Sequence, residues 1–298
     1  MMKAGFVALL GRPNAGKSTL LNAILSKKVS IVSPRSQTTR EDVIGIYNEK
    51  DLQIVYVDTP GLFEGQEALY QVMYRAARRS LSDIDAMCYL VDCSSKEFEK
   101  DDAFLKSIKT DKPRFLLLNK IDLCTLPEME ETKKHFAATF PEYQQIEISA
   151  LKNFGLKDIK EKLEEILPEN PPFYPETIIT DKDRPFQAKE IVRESLLHFV
   201  KDEIPHDCAV VIDEFNESEK DKSCLIRATI YCSKDNQKAI LVGRKGDMIK
   251  KISMRSRKTL EKMWKMNVSL YCQVEVLSNW RNDPRKLQKV GYGAKERN

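Results

Sequence analysis

The sequence predicts an α/β domain whose mixed, mostly parallel sheet has helices on both faces, followed by a smaller α+β domain. Three observations support this fold class. Short apolar segments alternate with helical patterns through the first half of the 298 residues. A proline-rich segment at 168–175 then ends the alternation, and an excess of positive charge follows towards the C-terminus.

The predicted strands of the first domain are apolar runs of four to six residues. The first, at 5–10, lies close enough to the N-terminus to suggest a signal peptide. It runs into a glycine-containing loop without a cleavage site, so we interpret it as a core strand. Helical patterns are predicted at 19–25 and 156–167. The other strands are predicted at 43–47, 52–57, 86–91, 114–119 and 145–148.

Four prolines within 168–175 cannot continue a helix and predict a stiff, extended linker. The predicted boundaries are therefore 1–167 for the first domain, 168–180 for the linker and 181–298 for the second domain. The second domain has the predicted order helix, strand, strand, helix, helix, strand. These elements are a helix at 186–200, strands at 208–215 and 224–231, a short helix ending at 239–242, a helix at 248–264 and a strand at 268–277.

The charge is unevenly distributed along the chain. The whole chain carries a net charge of +4, whereas Lys222 to Asn298 alone hold 19 Lys/Arg and 6 Asp/Glu, a net charge of +13. This asymmetry predicts that the C-terminal part binds a polyanion. A well-solvated basic surface is the alternative interpretation.

The cysteine usage is typical of a cytosolic protein. The seven cysteines are odd in number and none has C-x-x-C spacing, which predicts reduced thiols. Three histidines that do not pair with cysteines at ligand spacing make a zinc site unexpected. No apolar run approaches the roughly 18 residues of a membrane-spanning helix.

The first motif that carries chemistry directly follows the first strand. The segment Gly11-Arg12-Pro13-Asn14-Ala15-Gly16-Lys17-Ser18 fits G-x-x-x-x-G-K-[ST] at each fixed position. Backbone amides in such a loop bind phosphate oxygens, and glycine lets the chain approach them closely. Lys17 is expected to reach the β- and γ-phosphates, and the Ser18 hydroxyl to ligate Mg²⁺.

A second motif, Asp58-Thr59-Pro60-Gly61, follows the strand at 52–57. Asp58 is expected to hold Mg²⁺ through water, and the Gly61 amide to meet the γ-phosphate. The polar segment 33–40 lies between the two motifs and predicts a switch that the γ-phosphate and Mg²⁺ order. One threonine of that segment should complete the metal shell. We favour Thr39, with Thr38 as the alternative.

The third motif, Asn119-Lys120-Ile121-Asp122, follows the strand at 114–119 and is specific for guanine. The Asp122 carboxylate can accept hydrogen bonds from N1–H and the 2-amino group, which adenine cannot offer. A backbone amide of Ser149-Ala150, after the last strand, is expected to contact guanine O6. Together the three motifs predict binding of GTP with magnesium and hydrolysis of its terminal phosphate.

Leu62 directly follows the second motif. Ras-like enzymes have a glutamine there, and it orients the attacking water. Leucine cannot orient water. The sequence therefore predicts an enzyme that is slow alone, uses another group, or is activated by a partner.

The basic part of the chain contains Gly243-Arg244-Lys245-Gly246 between its two adjacent predicted helices. This matches the GXXG element of KH domains, which clamps the backbone of four nucleotides. The predicted order of elements corresponds to the type II KH arrangement. Lys250 and Lys251 extend the positive charge along the following helix. Arg281, Arg285, Lys286 and Lys289 could add a further contact surface with Trp280, which is interpreted either as a packing anchor or as a base-stacking platform.

The whole chain resembles the Era family of bacterial ribosome-assembly GTPases. The resemblance rests on the motif order, on Gln37-Thr38-Thr39-Arg40, on Glu203-Ile204-Pro205-His206 and on the single KH domain. It implies binding to the 3′ end of 16S rRNA, a role in maturation of the small ribosomal subunit, and RNA or ribosome affinity controlled by the bound nucleotide. It also implies a cytoplasmic monomer with peripheral association with the inner membrane, and no DNA partner.

Two features of the phosphate loop are interpreted through this resemblance. Ala15 replaces the valine common in the family, a conservative change that should not disturb binding. In GTPases with G-x-P-N-x-G-K-S loops, the residue at Asn14 can help hold a K⁺ ion that substitutes for an arginine finger. Alternatively, Asn14 simply tolerates an unusual backbone conformation.

Two other function classes are weighed against a GTP-hydrolysing switch that binds RNA. One is a non-catalytic RNA-binding adaptor that merely retains nucleotide, and the complete motif set argues against it. The other is a P-loop kinase or ATPase, which the guanine-reading motif disfavours.

Overall fold

The computed structural model describes residues 2–33, 39–59, 67–69 and 83–292. The chain divides into two compact units. The first consists of Met1–Phe63 and Met73–Asp181, and the second of Glu64–Val72 and Lys182–Asn298. In the described part of the chain, no helix is long and apolar enough to cross a membrane.

The sheet of the first unit has the spatial order β2-β3-β1-β4-β5-β6. The β2 strand pairs antiparallel with β3, and the other neighbours in this order are parallel. The prediction of a mixed, mostly parallel sheet is therefore confirmed. The strands are β1 Met2–Gly11, β2 Val43–Glu49, β3 Leu52–Asp58, β4 Ala86–Asp92, β5 Arg114–Asn119 and β6 Gln144–Glu147.

The central strands are buried on both faces, because helices cover the sheet on both sides. Ile54, Leu90 and Leu117 are each fully buried. The helices among the described residues are α1 Lys17–Leu25, α2 Phe98–Ser107, α3 Leu126–Thr139 and α4 Leu156–Ile166. The parallel strands bring Gly11, Asp58 and Asn119 to one edge of the sheet, where such folds bind their ligands.

The proline-rich segment is hydrogen-bonded to strands of the first unit. Its residues Glu169–Asn170 form a short strand, β7, that pairs antiparallel with the start of β1. The Gln53 side chain accepts hydrogen bonds from the backbone amides of Phe173 (2.7 Å) and Tyr174 (3.0 Å). The amide of Ile46 donates to Ile179 O over 2.9 Å. These contacts explain why the segment belongs to the first unit.

The second unit has a three-stranded sheet in the order β10-β9-β8. The β8 and β9 strands are antiparallel, and β9 and β10 are parallel because two helices cross between them. The predicted order of elements is confirmed, with α8 as an addition. The elements are α5 Arg184–Phe199, β8 Ala209–Ser218, β9 Ser223–Cys232, α6 Asp235–Val242, α7 Asp247–Trp264, β10 Asn267–Val276 and α8 Pro284–Lys289.

The core of the second unit lies between its sheet and its helices. Val192 and Leu196 of α5, Ile252 of α7 and Ile230 of β9 are fully buried in one cluster. The two long helices are joined by a buried hydrogen bond between the hydroxyls of Ser256 and Ser195 (2.9 Å). The Asp183 side chain caps α5 by accepting from the amide of Phe186.

Candidate functional site

The phosphate loop connects β1 to α1 and depends on backbone conformations that few residues adopt. Gly11 and Gly16 have φ angles of 143° and 103°, and Asn14 has a φ of 62°. A Cβ atom on Gly16 would lie 2.3 Å from Nδ2 of Asn119. Glycine is therefore required at position 16 both for its conformation and for this close approach.

Lys17 lies inside this loop and is only 6% exposed. Its Nζ donates to the carbonyl oxygens of Gly11 (2.7 Å) and Arg12 (3.0 Å). Burial lowers the pKa of Lys17 to about 8, and the charge of Asp58 opposes this shift. An anionic phosphate in the loop would stabilise the charged ammonium, and the contact of Lys17 with the phosphates stays a prediction.

Three oxygen-bearing side chains meet beside the loop. The Ser18 hydroxyl donates to Asp58 Oδ2 over 2.8 Å and lies 3.0 Å from Thr39 Oγ1. The Thr39 hydroxyl is 3.5 Å from the same carboxylate oxygen. Burial raises the pKa of Asp58, and the charge of Lys17 opposes the rise. The structure thus brings together the residues predicted to bind Mg²⁺.

The second oxygen of Asp58 bears on whether a cation fits here. Asp58 is fully buried, and its Oδ1 has no hydrogen-bond partner among the described residues. A buried carboxylate oxygen without a partner is costly. A carboxylate and two hydroxyls are the hard oxygen donors that Mg²⁺ prefers. The donor set and the unpartnered oxygen therefore both fit Mg²⁺.

Several predicted residues of the second motif and the switch cannot be placed. Thr38, Pro60, Gly61 and Leu62 lie outside the described residues, so their roles stay predictions. Thr59 is described and fully buried. Its hydroxyl donates to Leu9 O over 3.0 Å, which anchors the end of β3 to β1.

Asn119 joins the phosphate loop to the guanine-reading loops. Its Nδ2 donates to Ala15 O over 2.7 Å, and its Oδ1 accepts from the amide of Ala150 over 3.0 Å. The amide of Ser149 donates to Phe154 O over 3.2 Å. Both amides therefore already have acceptors within the protein, and their contact with guanine O6 stays a prediction.

Asp122 is exposed in the short helical turn Ile121–Leu123 that follows β5, where a base can reach it. Its Oδ1 accepts from the hydroxyl of Ser149 over 2.5 Å, and Ser149 is itself 1% exposed. Ser149 therefore orients the carboxylate that is predicted to read guanine, a role beyond the predicted backbone contact. Ile121, which directly precedes Asp122, donates its backbone amide to Ile148 O over 3.4 Å.

Two further basic side chains support the nucleotide loops through ion pairs that were not predicted. The Arg12 guanidinium pairs with Glu97 and with Asp101, which is 1% exposed and also accepts from the Tyr89 hydroxyl over 2.7 Å. Lys120 has a φ of 66° and pairs with Asp92 over 2.5 Å. No local pattern reveals these pairs, because their members lie between 28 and 89 positions apart.

In the second unit, the GXXG element forms a tight turn between α6 and α7. Gly243 and Gly246 have φ angles of 75° and 80°, and Lys245 has a φ of 52°. A Cβ atom on Gly243 would lie 2.8 Å from the backbone nitrogen of Met248. The turn therefore packs against the start of α7 and leaves Arg244 and Lys245 exposed.

The basic side chains around this turn differ in their partners. Lys250 is exposed, and it forms no ion pair with any residue that the structure describes. Lys251 pairs with Asp247 over 2.6 Å. Arg281 pairs with Asp207 over 2.7 Å and with Glu67, so its guanidinium is largely engaged within the unit.

Trp280 is a packing anchor. The residue is fully buried, and its indole stacks against the ring of Tyr292 with 6.0 Å between centroids. The indole Nε1 donates to Asp207 O over 2.9 Å. A base therefore cannot stack on this ring, and of the two interpretations of Trp280 only the structural one holds.

Known proteins are similar to this chain over almost its whole length. Residues 6–120 match the family described as 50S ribosome-binding GTPase, and residues 203–281 match the KH domain family. A GTPase Era of Caldicellulosiruptor saccharolyticus is 39% identical over 297 residues, which are 99% of each chain. A GTPase Era of Lactobacillus delbrueckii subsp. bulgaricus is 40% identical over 99% of this chain and 97% of its own.

Two solved structures are similar over almost the full length. An Era variant of Aquifex aeolicus bound to GDP and aluminium fluoride has a TM-score of 0.94 and 34% identity, over 98% of this chain and 100% of its own. An Era in complex with MgGDPNP and nucleotides 1506–1542 of 16S ribosomal RNA has a TM-score of 0.92 and 34% identity, over 99% of this chain and 100% of its own.

Proposed function

This chain belongs to the Era family of GTPases, and from that premise we propose that its GTP state controls binding to the 3′ end of 16S rRNA during maturation of the small ribosomal subunit. The observation that carries the proposal is that the side chains of Ser18, Thr39 and Asp58 lie within hydrogen-bond distance of one another beside the phosphate loop. A switch threonine at the metal-binding carboxylate is what lets a GTPase sense the γ-phosphate.

The described residues have distinct roles towards GTP in this proposal. Lys17 contacts the β- and γ-phosphates, while Ser18 and Thr39 hold Mg²⁺ directly and Asp58 holds it through water. When bound, Mg²⁺ neutralises charge that develops on the phosphate oxygens. Asp122, oriented by Ser149, reads the base. Leu62 supplies no water-orienting group, so intrinsic turnover is expected to be slow.

The second unit contacts RNA through its GXXG turn in this proposal. Arg244, Lys245 and Lys250 are exposed, and backbone phosphates can approach the two glycines closely. The complex of a relative with 16S nucleotides supports the same kind of ligand. Ile240 is 47% exposed one helical turn before Arg244, so the turn offers both apolar and charged contacts.

Measured turnover tests the enzymatic part of the proposal. We expect the purified full chain to release phosphate from GTP faster than the uncatalysed reaction, and faster still with 16S 3′-end RNA or K⁺. A rate equal to the uncatalysed background under every one of these conditions would support the non-catalytic adaptor instead.

We further propose that Asn14 helps hold a K⁺ ion during hydrolysis. Wild-type turnover is then expected to be at least about tenfold faster in K⁺ than in Na⁺, below the ~10³-fold or more of an arginine finger. The φ of 62° at Asn14 equally fits a purely conformational role. Asn14→Gly separates the two, because glycine keeps this conformation and removes only the carboxamide.

Steady-state hydrolysis in K⁺ and in Na⁺ is the measurement. Asn14→Gly should lose the K⁺ stimulation and keep its GTP affinity within about threefold, since the loop backbone is preserved. Stimulation that persists in Asn14→Gly would assign the residue a conformational role alone.

The same family membership supports three further proposals about context. The protein acts on the small ribosomal subunit, it is a monomer, and it resides in the cytoplasm with peripheral association at the inner membrane. Ribosome sedimentation tests the first proposal and fractionation of cells tests the third, and recovery only in fractions without ribosomes would contradict the first.

A further inference from the structure

Ser30 is a buried hydroxyl beside the metal-binding carboxylate, in the segment between α1 and β2. The residue is 4% exposed, and its Oγ donates to Asp58 Oδ2 over 3.0 Å. Ser18 donates to the same oxygen over 2.8 Å. Oδ2 of the carboxylate therefore receives the hydroxyls of Ser30 and Ser18, with that of Thr39 at 3.5 Å, while Oδ1 has no partner among the described residues.

Asn22 fixes the position of Ser30. The Asn22 Oδ1 accepts from the amides of Val29 (2.8 Å) and Ser30 (3.0 Å). Its Nδ2 donates to Ser30 O over 2.7 Å. Asn22 lies on α1, the helix that also carries Ser18. One helix therefore positions both hydroxyls, Ser18 directly and Ser30 through Asn22.

We propose that Ser30 is a positioning residue for the magnesium-binding carboxylate, and this rests on the proposed function. Its hydroxyl holds Asp58 so that Oδ1 stays available towards the ion. Ser18 and Thr39 also contact Asp58 Oδ2, but each is itself assigned as a metal ligand. Ser30 is not assigned to the ion, so its bond to Asp58 can persist in the loaded protein.

The expected size of the effect follows from the behaviour of other metal sites. Partners that orient metal ligands typically contribute about 10- to 100-fold to metal affinity. A purely structural role would instead stabilise the folded chain and leave Mg²⁺ dependence unchanged. The two roles therefore differ in how nucleotide release responds to Mg²⁺, a readout independent of hydrolysis.

The test measures dissociation of fluorescent GDP from the full chain across a range of free Mg²⁺ and in EDTA. For Ser30→Ala, we expect the half-saturating Mg²⁺ concentration to rise about 10- to 100-fold. The rate in EDTA should stay within about twofold of wild type, because the phosphate loop and Asp122 are untouched. Thr132→Val is the matched control, since it removes another buried hydroxyl of the first unit, whose partner among the described residues is Glu128 O.

Three outcomes would overturn the inference. They are an unchanged Mg²⁺ dependence in Ser30→Ala, an EDTA rate that rises as much as the rate in Mg²⁺, and an equal change in Thr132→Val. Failure of the underlying function is distinguishable, because wild-type release would then show no dependence on Mg²⁺ at all.

Discussion

Asp122→Asn is expected to change the nucleotide preference from guanosine to xanthosine nucleotides. The carboxylate is predicted to accept two hydrogen bonds from guanine, and charge-assisted bonds contribute about 1.5–3 kcal/mol each. Asparagine presents an NH₂ donor, which repels the 2-amino group and matches the 2-oxo group of xanthine. GTP affinity should therefore fall about 10³-fold or more, and affinity for XTP should rise.

The structure indicates that this variant folds. Ser149 donates to Asp122 Oδ1, and the carbonyl oxygen of an asparagine can accept the same bond. Asp122 is exposed, so the substitution buries no unpaired group. Its main effect should fall on the bound base.

Calorimetric titrations of both proteins with GTP, XTP and ATP measure this change. Asp102→Asn is the matched control, because Asp102 lies on α2 and pairs with His135 over 3.0 Å. The control should keep the preference for GTP. An unchanged GTP preference in Asp122→Asn would refute the assignment of the guanine-reading residue.

Gly246→Asp is expected to weaken RNA binding about 100-fold or more, because a carboxylate would stand where the turn clamps the phosphates of four nucleotides. GTP binding should remain unchanged. The two glycines of the turn differ as sites for this test. A Cβ atom added to Gly243 would lie 2.8 Å from Met248, whereas one added to Gly246 would have no atom within 4 Å. Gly246 is therefore the cleaner position.

Gly291→Asp provides the matched control for this prediction. Gly291 has a φ of 86°, close to the 80° of Gly246, and an added Cβ again meets nothing within 4 Å. Both variants thus add the same charge, and both place a side chain on a residue with a similar positive φ angle, so the backbone strain should be similar. Filter binding to 16S 3′-end RNA should separate them. Full RNA affinity in Gly246→Asp would place the RNA site elsewhere.

Local patterns predicted much of the fold. Alternating apolar runs and helical periodicity placed the strands and long helices to within a few residues, as for α7, predicted at 248–264 and observed at Asp247–Trp264. The motifs also placed Gly11, where the phosphate loop begins, and Asp58 at adjacent strand ends, because parallel strands share one carboxyl edge.

Contacts between distant segments could not be predicted in this way. Ser30 carries no motif, and its role depends on the pairing with Asp58, 28 positions away. Asn119 was predicted as part of the guanine-specific motif, and the bonds that it makes between Ala15 and Ala150 were not predicted. The burial of Trp280 depends on Asp207, 73 positions earlier. Such pairs are set by the packing of whole elements and leave no trace in local periodicity.

The central claim is that the bound nucleotide controls RNA affinity, and one titration tests it most directly. The full chain, loaded with GDP or with a non-hydrolysable GTP analogue, is titrated with RNA from the 3′ end of 16S rRNA. We predict tighter binding with the analogue, by about 5- to 150-fold, the usual range of coupling between two sites. Equal affinities in the two loaded forms, or no binding in either, would contradict it.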